Sequence, residues 1–389
     1  MNFLYFCFDP IDYKSKKFKK NIAGKVAGVE RLGYKSDYIY YNQKELVYVV
    51  KDETKHFSLH HGSNEVNDYI CNAVCNILKT NSYDFLYLNG SLLNTKVIKI
   101  AQCAKSGKFS AKVILEPEYF PMDTICDELQ NECKNDNGFL GFNRRIFHHK
   151  KCLARLPQAV DTVVVMGVPC METCCIPAIS AYSGIDVSTV EFCRSPESTG
   201  DAVSILGVVE DKKDCGYERL LKGFKEYMKS SKQKKYSFDI VGNDSETSEL
   251  KNIAKDFKLN ENITFLGEKT YDEIAGLCST HTLAVSNLGL YNSNIVYSSP
   301  KIAKLYCAAG IPFIYAYEDI SLGPGIPFAL KIANNSSPVS MDVLQGFVLR
   351  CRLDTRLSKS EHKYAEDHYN WWVIMKRILG FTATGRREA

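Results

Sequence analysis

Ser298-Ser-Pro-Lys-Ile-Ala-Lys-Leu-Tyr-Cys-Ala-Ala-Gly-Ile-Pro-Phe-Ile314 is the stretch whose reading decides the fold. Two hydroxyl residues and a proline precede a run with helical apolar spacing, Pro300–Ala309, and Gly310 stops it. Ile311–Tyr315 then reads as a buried strand. A helix begun this way offers free backbone N–H groups and the positive end of its dipole, which suits a diphosphate. Lys301 and Lys304 add charge there. Ordinary capping with solvated lysines is the plainer reading of the same residues.

Upstream of that helix the apolar runs keep alternating with amphipathic ones. Strands are expected at Val203–Val209, Tyr236–Val241, Ile263–Leu266 and Thr282–Ser286, and helices at Tyr217–Lys229, Glu246–Phe257 and Tyr271–Cys278. A loop, Asn287–Ser299, separates the last of these strands from the helix. Gly207, Gly242-Asn243 and Gly267 stand in order at the strand ends, with Gly289 and Gly310 later. Ligands of doubly wound sheets sit beyond the carboxyl ends of the strands, where a glycine lets backbone approach a base or a phosphate. Each glycine alone is more often a turn; the ordered series is the signal.

The N-terminal half repeats the alternation. Strands are expected at Phe3–Phe8, Ser36–Tyr41, Tyr83–Asn89, Lys112–Glu116 and Asp161–Met166, with helices at Ile22–Gly33, Glu65–Thr80 and Thr95–Gly107. This order favours parallel sheets covered on both faces. The polar stretch Ser195–Gly200 reads as the linker. The expected division is therefore 1–195, a first Rossmann-like domain; 196–360, a second; and 361–389, a helix returning to the first. That helix, Glu361–Leu379, is rich in aromatic residues and must pack on something.

Composition sets the class. The chain has 389 residues, 45% hydrophobic and 24% charged, which fits two globular domains. A net charge of +4 does not argue for nucleic acid. Fifteen scattered cysteines point to a reducing, cytoplasmic setting. Cys170, Cys174 and Cys175 cluster without a second ligand pair, so no metal is expected. The apolar start Asn2–Phe8 has no basic region before it and reads as a strand, not a signal peptide.

The second half resembles the retaining glycosyltransferases of family 4, GT-B fold, of the bacterial polysaccharide-biosynthesis type. The matching residues are Ile205-Leu-Gly207, Gly216-Tyr-Glu-Arg-Leu-Leu-Lys-Gly-Phe224, Phe238-Asp-Ile-Val-Gly242, Ile263-Thr-Phe-Leu-Gly267 and Ala308-Ala-Gly-Ile-Pro-Phe-Ile314. In the first half, Val113-Ile-Leu-Glu-Pro-Glu-Tyr-Phe-Pro121 and Ser183-Gly-Ile-Asp186 resemble a strand end and the passage between domains; Tyr369-Asn-Trp-Trp-Val-Ile-Met375 resembles the returning helix. The resemblance implies an α/β, GT-B chain of two facing Rossmann-like domains with parallel sheets. It implies a nucleoside diphosphate sugar, UDP-sugar favoured, as donor, bound by the domain 196–360, and a glycan or lipid-linked acceptor, bound by the domain 1–195. The base would lie near Gly242, Asn243, Leu266, Gly267 and Glu268. The diphosphate would lie near Gly289, Leu290, Tyr291, Ser298, Ser299, Lys301 and Lys304, with Gly207 and Gly216 at strand ends and Arg219 as a cleft charge. Glu116 and Glu118 close a first-domain strand and are candidates for acceptor binding or base work; Arg219 is the third catalytic candidate. No cofactor is implied. No Asp-x-Asp occurs, which argues against the metal-dependent class of transfer.

Several family contacts are missing. Aligned on Gly310, the two glutamates usual in the family become Tyr297 and Leu305. The usual arginine and lysine near the first strand become Val208 and Cys215, and the loop that often carries histidine reads Leu290-Tyr-Asn-Ser293. Three expectations follow: a transferase with altered donor contacts; a degenerate GT-B subunit acting as a binding partner; and, more weakly, a sugar-nucleotide epimerase. Phe139–Arg155 mixes bulky apolar groups with a basic run and is a candidate for peripheral contact with anionic lipid on the inner membrane face; a core-packed helix with a solvated basic face is its plain alternative. Lys14–Lys20 and His60-His61-Gly62 read as loops.

Overall fold

The computed structural model describes residues 1–10, 16–42, 44–50, 53–59, 63–91, 93–106, 110–122, 146–193, 202–229 and 236–385. They form two compact units, Met1–Tyr182 with Trp371–Ala389, and Ser183–Asn370. The divisions fall earlier in the chain than 195/196 and later than 360/361, for a physical reason. Cys193 N donates to Ala309 O at 2.9 Å, and Cys307 Sγ donates to Glu361 O at 3.2 Å. These bonds tie both flanking segments to the second unit. The linker expected at 195–200 and the pair His60-His61 lie outside the described residues.

The first unit is built on β1 (Asn2–Pro10), α1 (Lys16–Arg31), β2 (Lys35–Tyr41), β3 (Glu45–Val50), β4 (Glu53–Ser58), α2 (Ser63–Thr80), β5 (Phe85–Gly90), α3 (Thr95–Ser106) and β6 (Lys112–Pro117). A helix over 146–153, α4, follows, then α5 (Leu156–Ala159), β7 (Thr162–Met166), β8 (Glu172–Thr173) and β9 (Ile176–Ala181). Among the described residues the sheet order is β4-β3-β2-β1-β5-β6-β7-β9-β8. The centre is parallel; β3, β4 and β8 pair antiparallel at the edges. The central strands are buried on both faces, as Phe85–Gly90 shows at every position, so they read as unbroken apolar runs. Helix α1 begins at Lys16, so part of the basic run read as a loop is helical. Gly24 and Gly28 cut a notch in α1: a Cβ at either would lie within 3 Å of Trp371. Into that notch fits α13 (Trp371–Thr384).

The second unit carries β10 (Val203–Val208), α6 (Lys212–Cys215), α7 (Glu218–Met228), β11 (Tyr236–Val241), α8 (Asp244–Asp256), β12 (Ile263–Gly267), α9 (Tyr271–Cys278), β13 (Leu283–Val285), α10 (Lys301–Ala309), β14 (Phe313–Tyr315), β15 (Ala329–Lys331), α11 (Met341–Leu353) and α12 (Leu357–His368). Among its described residues all strand pairs are parallel. Helix α7 buries Leu220, Leu221 and Phe224 against the sheet, each contributing about 1.5–3 kcal/mol. The single terminal helix expected at Glu361–Leu379 is two, α12 and α13. They part at Tyr369-Asn370, where Ile185 N donates to Tyr369 O and Val187 N donates to Asn370 Oδ1.

Candidate functional site

In the second unit the order is β12-β11-β10-β13-β14-β15. The chain leaves β10 toward β11 and β12, then resumes on the other side of β10 with β13. Strand order reverses between β10 and β13, which makes their carboxyl ends the crevice of a doubly wound sheet. Two loops meet there, glycine against glycine. Gly216 has φ +62°, and a Cβ on it would lie 2.3 Å from Gly289 N and 2.4 Å from Leu288 C. Leu288 N donates to Cys215 O, and Gly289 N donates to Asp214 O, both at 2.9 Å. The loops after β10 and β13 are thus zipped backbone to backbone, an approach that only residues without side chains permit.

Arg219 fastens this arrangement from below. It is 2% exposed, and its guanidinium donates to Leu288 O at 2.8 Å, Ala333 O at 2.9 Å and Ser337 O at 2.9 Å. Burial lowers its pKa. With those donors engaged by three carbonyls, Arg219 is a loop-positioning group rather than the free cleft charge expected from sequence. Tyr291 lies over the guanidinium at 5.8 Å, and its hydroxyl donates to Glu218 Oε1 at 3.1 Å. Leu290 is buried beneath the turn Leu290–Ser293.

The start of α10 stands on the other side of β13. Its N-cap is Pro300, with no side-chain cap and no acidic residue in the first turn. Lysines at a helix start oppose the dipole, and no residue of the first turn itself offsets them. Lys304 is fully buried. Its ammonium donates to Ser299 O and Ser299 Oγ, both at 2.8 Å, and burial lowers its pKa to about 8. Ser299 Oγ in turn donates to Asp319 Oδ1 at 2.9 Å, and Ser321 N donates to the same oxygen at 2.8 Å. Lys301 is only half-buried, and its charge acts on Lys304. Ser298, also half-buried, donates its N–H to Glu318 O.

The remaining sequence candidates divide. Gly207 lies inside β10, and the space a Cβ would need is filled by the rings of Tyr217 and Phe238, so it serves packing. Gly242 N donates to Gly267 O at 3.0 Å, which brings the ends of β11 and β12 together. Asn243 caps α8 through a capping box with Glu246. Leu266 and Gly267 are half-buried and Glu268 is exposed. Glu116 and Glu118 belong to the first unit. Glu116 is 7% exposed, and its Oε2 receives Lys25 Nζ at 2.5 Å and accepts from the Tyr87 hydroxyl, so its carboxylate sits in a buried ion pair. Glu118 is exposed. Sequence reasoning missed Asp319, Ser321 and Glu210. The first two follow β14, where the reading stopped. Glu210, exposed just past β10, accepts from Tyr271 at 2.8 Å and acts electrostatically on Lys304.

The positions of the absent glutamates are now physical. Leu305 is 4% exposed and part of the core, whereas Tyr297 is 40% exposed. Val208 and Cys215 are buried, and Val208 N donates to the Tyr217 hydroxyl.

No family model matches the sequence, and no curated protein matches it. Solved structures do match in fold over almost the whole chain. A glycosyltransferase from Rickettsia africae ESF-5 superposes with TM-score 0.62 at 11% identity, covering 98% of this chain and 97% of its own. HepE of Anabaena, solved with UDP, gives 0.58 at 10% identity, covering 99% and 100%. A sucrose-phosphate synthase from Thermosynechococcus elongatus gives 0.57 at 12% identity, covering 98% of each chain. The fold is that of the GT-B glycosyltransferases, with two Rossmann-like domains.

Proposed function

We propose that this chain is a glycosyltransferase that binds a nucleoside diphosphate sugar, UDP-sugar favoured, in the crevice of its second unit. It would pass a hexose to a glycan or lipid-linked acceptor, with retention and without a metal. One observation carries the reading: the two switch-point loops are locked glycine to glycine beside a helix start whose first turn has no acidic residue and two lysines. HepE, solved with UDP, shares the fold and supports the choice of donor. In this scheme the diphosphate lies on the first turn of α10, where backbone N–H groups and Lys301 meet its charge. As the sugar–oxygen bond breaks, negative charge grows on the leaving diphosphate. Fixed dipoles and the lysines stabilise it where other enzymes use a cation. Lys304, buried behind Ser299, orients that hydroxyl and offsets the charge of Asp319, to which the hydroxyl donates. Arg219 holds the Leu288–Gly289 backbone in place.

Calorimetry with UDP tests the pocket. Lys301→Ala removes a charged contact of about 1.5–3 kcal/mol, so affinity should fall roughly tenfold to a hundredfold. Unchanged affinity in both Lys301→Ala and Lys304→Ala refutes it. The second reading, a degenerate subunit that binds a partner protein, is favoured by Leu305 in the core where a carboxylate would hold ribose. Hydrolysis of UDP-sugars separates the two: slow turnover supports the enzyme, and none, with no UDP binding, supports the partner.

Peripheral lipid contact through 139–155 is part of the proposal for the described part of that segment, 146–155. There Ile146, His149 and Cys152 pack inward, while Phe147 is 57% exposed with Lys151 over its ring. Failure to float with anionic vesicles removes it.

A further inference from the structure

Helix α11 is apolar on both of its faces, and the described residues cover only one of them. Met341, Leu344, Phe347 and Val348 are buried. The opposite arc, drawn at about 100° per residue, holds Asp342, Val343, Gly346, Leu349, Arg350 and Leu353. Val343 is 51%, Leu349 42% and Leu353 85% exposed. A surface helix ordinarily turns polar residues outward, and one that is apolar all round is covered all round. Two undescribed stretches of the same unit have no apolar side chain of matching size. They read Arg194-Ser-Pro-Glu-Ser-Thr-Gly-Asp201 and Ser230-Ser-Lys-Gln-Lys-Lys235.

The outer arc is self-complementary about its middle, Gly346. Val343 stands three residues before the glycine and Leu349 three after; Asp342 stands four before and Arg350 four after. Asp342 and Arg350 are both exposed. A Cβ at Gly346 would meet nothing within 4 Å, so no neighbour within the chain accounts for glycine there. A helix interior is also where glycine is poorly favoured. What the missing side chain does allow is the close approach of a second backbone.

We propose that α11 pairs with the α11 of a second copy of this chain, antiparallel, across a two-fold axis at Gly346. Such an axis brings residues equally far before and after the glycine to the same level, and it does so twice. Leu349 of each copy then meets Val343 of the other, and the Arg350 guanidinium meets the Asp342 carboxylate. A parallel pair would set Asp342 against Asp342 and Arg350 against Arg350, so charge selects the antiparallel one. Leu353, roughly 10 Å along the axis from Gly346 at about 1.5 Å per residue, overhangs the start of the other helix. One helix pair is a small interface, so the association is weak and reversible.

Sedimentation velocity of the full chain from about 5 to about 500 µM, the span a weak contact calls for, should show a monomer–dimer equilibrium that stops at the dimer. Asp342→Arg sets arginine against arginine, and Arg350→Asp sets aspartate against aspartate, so each alone should weaken the dimer by at least about tenfold. Mixed in equal amounts, the two variants regain both opposite-charge pairs, and the dimer should return. Gly346→Glu puts a side chain into open space on the monomer but into the seam of the dimer. It should keep the monomer's thermal stability and lose the dimer. Circular dichroism checks the fold of each variant. A wild type that stays monomeric throughout overturns the proposal. So does a dimer that survives Gly346→Glu, assembly beyond the dimer, or a mixture of folded Asp342→Arg and Arg350→Asp chains no more associated than either alone.

Discussion

Replacing Gly216 by alanine places a methyl carbon 2.3 Å from Gly289 N and 2.4 Å from Leu288 C. Both are backbone atoms, so no flexible side chain can swing aside. Two separate costs follow. Alanine held at φ +62° pays about 1–2 kcal/mol for the left-handed conformation. Pushing the two loops apart adds about 1–3 kcal/mol, as overpacking does in tight interiors. Gly267 isolates the first cost, because its φ is +72° and nothing lies within 4 Å of its missing Cβ. Gly267→Ala should therefore destabilise by about 1–2 kcal/mol, and Gly216→Ala by about 2–5 kcal/mol. Urea unfolding of both variants, followed by fluorescence, gives the difference directly. UDP calorimetry on the same samples should show weaker binding in Gly216→Ala, whose crevice floor is pried open. If the two variants are equally stable, the loops are not locked as described and the crevice argument loses its base.

Three further outcomes follow from the same geometry. Arg219→Lys leaves at least two of the three carbonyls at Leu288, Ala333 and Ser337 without a donor; chemical denaturation should show a loss of about 2–5 kcal/mol. Lys304 titrates at about 8 when folded and 10.5 in the reference state, so the unfolded chain binds the extra proton in that window. The wild type should therefore gain stability relative to Lys304→Met as pH rises from 8 toward 10.5, by about 3 kcal/mol in all; a pH-independent gap in denaturation midpoints refutes it. Lys25→Met and Glu116→Gln should each destabilise by about 3–5 kcal/mol, because each strands a buried partner, while the double variant should lose clearly less than the sum; additive thermal-denaturation values would show the pair to be uncoupled.

The second unit was legible because its physics is local. Pro300 and Gly310 bound α10 as the sequence suggested, with Gly310 at φ +81°, and the strands are short apolar runs with turn residues after them. The edges of the first sheet were not legible. Strand β4, Glu-Thr-Lys-His-Phe-Ser, is mostly exposed and charged, as edge strands are, and has no apolar alternation to betray it. The site was half legible. Chain order shows a glycine near a strand end, but not whether it faces another backbone or a ring, which is what separates Gly216 from Gly207. Nor does it show that Arg219 turns its donors inward, because its three acceptors lie 69, 114 and 118 residues away along the chain. Gly24, Gly28 and Trp371 are likewise a single joint that no short window of sequence contains.

A crystal structure grown with UDP is the most direct trial of the donor site. The account predicts the diphosphate oxygens within about 3 Å of the backbone nitrogens at the start of α10, with the Lys301 ammonium turned onto them and the Gly216–Gly289 contact unchanged beneath. A diphosphate bound elsewhere on the second unit, or no UDP at millimolar concentration with the α10 start closed by its own side chains, would contradict it.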